Sequence, residues 1–113
     1  MAPMTRDEAQ RIVESAIRMS KADGVQVNVG SNVTGNTRFA ANQLTTSGII
    51  EGHFFAVESF FGNKHAVVTT DDLSESSIRR AVEQSERLAK LAPDDPEVMP
   101  PLPPQQNTAV KAY

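Results

Sequence analysis

An α+β fold is predicted: an antiparallel or mixed sheet of three to four strands, with two flanking helices on one face, in the order α-β-β-β-β-α. Three observations predict it. Apolar residues recur at helical spacing after Thr5 and again after Asp72, the stretch between them alternates with a period of two, and six of the seven prolines cluster at the end. A length of 113 residues, 39% of them hydrophobic and 22% charged, suits one hydrophobic core. The folded part is assigned to residues 1–92 as a single domain, and residues 93–113 to an extended Pro-rich tail or linker.

Each element has a local cause. Thr5-Arg6-Asp7-Glu8 is a capping box, in which the Thr5 hydroxyl and the Glu8 carboxylate satisfy amides that a first helical turn leaves without partners. Ala9, Ile12, Val13, Ala16 and Ile17 then form an apolar stripe, and Asp23-Gly24 is read as the stop. Val25, Val27 and Val29 alternate with polar residues as a strand, and the polar residues 30–35, with a glycine at each end, read as a turn. Residues 37–45 alternate again as a second strand. Residues 49–61, rich in aromatic and β-branched side chains, and residues 64–70 form a hairpin around Gly62-Asn63. A second helix starts at Asp72 or Ser74, shows the stripe Ile78, Ala81, Val82, Leu88 and Ala89, and ends near Ala92. Beyond it Pro93, Pro96, Pro100, Pro101, Pro103 and Pro104 withhold the amide donors that a helix or central strand needs.

Composition narrows the function. The net charge is −3 and the eleven Lys and Arg residues are dispersed, which disfavours direct contact with a nucleic-acid backbone. The N-terminus carries no apolar run of the kind a signal peptide or membrane span requires, so a cytoplasmic protein is expected. The absence of cysteine removes disulfides, thiolate ligands and a cysteine nucleophile.

Residue types that carry chemistry are sparse. His53 and His65 are the only histidines, and no HExxH or HExxxH spacing places two ligands on one helical face. A metal site needs them to meet across the hairpin, with Glu51 or Glu58 nearby. Residues 30–35 match the opening of a phosphate loop, but Asn36 stands where its lysine is required. Asp71-Asp72 suits helix capping, and Asp94-Asp95 suits solubility. The run Pro100-Pro101-Leu102-Pro103-Pro104 reads as a stiff linker or a polyproline ligand. Arg38 and Asn42 lie four apart, so on a strand they share a face, where a guanidinium and a carboxamide suit a carboxylate or an extended backbone. The other reading of that pair is a solvated sheet face.

The segment Asn36-Thr37-Arg38-Phe39-Ala40-Ala41-Asn42-Gln43-Leu44 resembles the R-F-A-x-N stretch in the N-terminal domain of the TldD/PmbA family, also called modulators of DNA gyrase. The strand Gly24-Val25-Gln26-Val27-Asn28-Val29, the helical run from Ala81 to Ala89 and the exit Leu91-Ala92-Pro93-Asp94-Asp95-Pro96-Glu97 are similar in order and spacing. The resemblance implies the non-catalytic N-terminal domain of a zinc metallopeptidase. Its zinc would be bound in a following domain by an HExxxH helix and a cysteine, so no cofactor is expected in this chain. It further implies peptide substrates, contact with the catalytic domain, and a homodimer or heterodimer. Arg38 and Asn42 are the expected substrate-binding residues, and no catalytic or metal ligand is carried onto this sequence. The alternative is a freestanding protein-interaction module with the same fold and no protease activity.

Overall fold

Thr5 opens helix α1 (Arg6–Met19) as its sequence predicts. Its hydroxyl accepts from the Glu8 amide at 3.3 Å, and the Glu8 carboxylate accepts from the Thr5 amide at 2.8 Å. Those Thr5 donors, the backbone amide first, hold the Glu8 carboxyl below its ordinary range. The computed structural model describes residues 3–111, which fold as α1, β1 (Gly24–Ala40), β2 (Gln43–Phe61), β3 (Lys64–Thr70) and α2 (Glu75–Leu91). The strands form a wholly antiparallel sheet in the order β1-β2-β3, so the described residues hold three strands and the order is α-β-β-β-α.

The expected break at residues 30–35 does not occur. They lie inside β1, and the strands expected at residues 37–45 and 49–61 are parts of one hairpin whose turn is Ala41-Asn42. Each glycine within these strands faces a larger residue: Gly24 opposite Phe60, Gly30 opposite Phe54, Gly35 opposite Ile49, Gly48 opposite Asn36 and Gly52 opposite Asn32. At Gly30 a Cβ would stand 2.4 Å from the Phe54 ring, so here glycine admits a side chain lying across the neighbouring strand. The turn has positive φ at both central residues, 49° at Ala41 and 60° at Asn42. Two-residue hairpin loops of this hand match the strand twist, and asparagine tolerates the conformation well. Alanine does not. Ala41→Gly is therefore expected to favour the closed hairpin by about 0.6 kcal/mol, slowing amide exchange beside the turn roughly threefold; unchanged exchange would contradict it.

The stop expected at Asp23-Gly24 also lies elsewhere. Helix α1 ends at Ser20, whose backbone is extended, while Asp23 joins the sheet by donating its amide to the Phe60 carbonyl. The Asp23 carboxylate accepts from the Gly62 amide at 3.2 Å, steadying the β2–β3 turn, where Gly62 supplies a φ of 58°. Ser74 caps α2, and Asp72 accepts from the Ser77 hydroxyl and the Ser74 amide. Those bonds, the Ser77 hydroxyl first, lower the Asp72 carboxyl.

Both helices cover one face of the sheet. Ala16 of α1 and Ile78, Ala81 and Val82 of α2 pack on Phe55 and Val57, flanked by Val25, Val27, Val29 and Val68. Two polar contacts fix the helices. Ser59 and Ser85 share a buried hydrogen bond of 2.7 Å, and the Glu86 carboxylate accepts from the Lys21 amide at 2.7 Å, joining α2 to the chain just after α1. Residues 93–111 form no helix or strand.

Candidate functional site

Strand β3 accompanies β2 only from Phe55 to Phe61. Beyond Phe55 the β1–β2 pair continues alone as a two-stranded ribbon made of residues 30–40 and 43–54. At about 3.3 Å per residue it reaches roughly 35 Å from the body. The molecule measures 59 × 34 × 30 Å.

Helix α1 and the preceding Met4 reach only the ribbon's root at Ser31 and His53; from residue 32 to residue 51 the ribbon is exposed, with Phe39 78% exposed, Leu44 75%, and Ile49 and Ile50 each 62%. The register sorts them by face. Continuing the helix-bearing face are Val33, Ile49 and the pair Phe39 and Leu44; the opposite face carries Phe54, Ile50 and Arg38. Because the ribbon lacks a third strand, both its long edges present backbone donors and acceptors that a further extended chain can pair with.

The two expected substrate-binding residues come to the ribbon's tip but not to one strand face. Arg38 stands in β1 opposite Thr46, and a bulge follows it, so that Phe39 pairs with Leu44. The Thr45 hydroxyl ties off the bulge by donating to the Arg38 carbonyl at 3.2 Å. Asn42 is the second residue of the turn, so its carboxamide belongs to the loop and the shared strand face expected for the pair is corrected. Among the described residues the Arg38 guanidinium forms no ion pair.

The histidines do not meet. His53 pairs with Ser31 on the helix-bearing face, in a hollow lined by Met4, Glu8, Ile12 and Leu73. His65 pairs with Phe60 on the other face. There it lies between two carboxylates, with Nδ1 2.9 Å from Glu58 and Nε2 3.0 Å from Asp95, and its ring stacks on Phe60. The carboxylates flank the ring from opposite sides, which suits an imidazolium with two acceptors. Among the described residues no three His, Asp or Glu side chains converge on a metal position. The Glu58 contact follows from hairpin pairing. Asp95 lies thirty residues from His65, and no periodicity announces its approach.

No family profile matches the sequence, nor does any curated protein. The fold is similar to part of the crystal structure of TldE from Thermococcus kodakarensis, with a TM-score of 0.69 at 15% identity. The similarity covers 90% of this chain and 23% of the TldE chain. TldE is a protein of the TldD/PmbA family, and at this identity the likeness establishes the shared fold.

Proposed function

We propose that this domain is the non-catalytic N-terminal part of a TldD/PmbA-like zinc metallopeptidase, where its ribbon contributes to the peptide channel or to subunit assembly. The observation that carries the reading is the ribbon itself: the segment resembling R-F-A-x-N lies at the tip of a projecting hairpin with apolar faces and unpaired edges. An isolated domain gains nothing from exposing Phe39, Leu44, Ile49 and Ile50, whereas a catalytic domain or second subunit laid against them removes that surface from water. The free edges suit an extended peptide, bound through its backbone, with the Arg38 guanidinium available to a carboxylate. Zinc and its ligands belong, on this reading, to the catalytic domain. The setting is cytoplasmic, the substrate is a peptide, and the partner is an identical or related subunit.

Peptide hydrolysis by the zinc-loaded assembly containing this domain tests the proposal. Arg38→Ala is expected to raise KM about tenfold with kcat unchanged, the loss of one charge-assisted hydrogen bond worth about 1.5 kcal/mol. Asn42→Gly preserves the turn while deleting the carboxamide, so a raised KM there reports contact rather than misfolding. Unchanged KM in both variants would refute a substrate role for the ribbon tip.

A further inference from the structure

The segment after α2 doubles back onto the sheet face that carries no helices. The Asp95 amide donates to the Asn63 carbonyl at 2.9 Å, and one Asp95 carboxylate oxygen accepts from the Glu97 amide while the other meets His65. Farther on, Pro101 lies against Gly24 and Phe60; its ring carbons are 3.3 Å from where a Gly24 Cβ would stand. Phe60, between His65 and this segment, is only 7% exposed.

We infer that His65, Glu58 and Asp95 form a protonation-dependent latch that holds the segment after α2 against the sheet. A protonated imidazole has two N–H donors and satisfies both carboxylates. A neutral one has a single donor for two acceptors, so one carboxylate faces a ring lone pair and that contact turns repulsive. Among the described residues no second cation on this face takes the place of the charged ring. Strand β1 places uncharged Gln26 and Asn28 on this face, Lys64 points to the opposite face with its partner Phe61, and Asp23, at the Gly62 turn, and Glu97, beside Asp95, carry only negative charge.

The sign follows from the partners. Asp95 first, then Glu58, stabilises the charged ring and raises its pKa above the ordinary 6.5. The contribution of His65 is thus fully present below 6.5 and is lost as pH rises through the raised folded value. Asp95 is lowered from 3.8, by the Glu97 amide first and then by His65. Its contribution is present above 3.8 and is lost as pH falls through the lowered value. The latch is therefore closed in mildly acidic solution and loosens on the alkaline side, uncovering Phe60.

An NMR titration of this chain tests the inference by following the His65 ring together with the amides of Asp95, Glu97 and Gly24. The expected result is one common midpoint above 6.5, beyond which the Asp95 and Glu97 amides take on the relaxation of mobile chain. In Asp95→Asn the His65 midpoint should fall toward the ordinary value, with the segment loose throughout. Glu58→Gln should keep it closed at alkaline pH, because a neutral ring then has only one carboxylate to serve. Segment amides that ignore the His65 titration, or a midpoint unmoved by Asp95→Asn, would overturn the latch.

Discussion

Phe55→Ala is expected to cost about 3–5 kcal/mol, a large part of the roughly 5–15 kcal/mol by which a domain is stable. Phe55 has no exposed surface and lies among Ala16, Val57, Ile78, Ala81 and Val82, so truncation removes the contact on which both helices converge. The neighbouring residue is the control. Phe54 points to the other face, covers Gly30 and is 51% exposed, so Phe54→Ala should cost about 1 kcal/mol or less. Urea unfolding measures both. Equal losses would mean that the face assignment is wrong or that the ribbon root is as tightly packed as the core.

The second large effect separates folding from function. Replacing residues 33–51 by an Asn-Gly loop leaves Asn32 opposite Gly52 and preserves every buried core contact, because no residue of the removed segment is buried. The truncated domain should unfold within about 1 kcal/mol of the intact one. If the proposed function holds, peptide hydrolysis by an assembly that contains it should nevertheless fall at least about tenfold, the equivalent of about 1.4 kcal/mol in transition-state stabilisation. Collapse of the truncated domain would show that the ribbon belongs to the cooperative unit. Full activity would remove the ribbon from the proposed channel and from any assembly contact that hydrolysis needs.

What could be read from the sequence divides along physical lines. Local signals were legible: the Thr5 and Glu8 capping box, the β2–β3 loop at Gly62 and Ile78, Ala81, Val82 and Ala89 of the α2 stripe stand where their local chemistry puts them, whereas Leu88 of that stripe is exposed. The β1–β2 hairpin was misplaced because its glycines resemble turn residues until their cross-strand partners are known. The true turn uses Ala41, which has no intrinsic preference for positive φ. The same error put Asn42 on a strand with Arg38. The segment around them stands out in the sequence by its resemblance, but its apolar exposure was invisible, since alternation says which residues share a face and not whether anything covers that face. Glu58 beside His65 follows from hairpin register, whereas Asp95 arrives through an irregular segment whose path no pattern encodes.

The bond between Glu86 and the Lys21 amide closes a loop between nearly the first and nearly the last of the ordered elements. During synthesis the sheet can pair as soon as Thr70 has emerged, but its inner face is covered only by α1 until Ile78, Ala81 and Val82 follow. A nascent chain of this protein therefore passes through a stage with Phe55 and Val57 only partly covered, and it completes its core only when α2 leaves the ribosome.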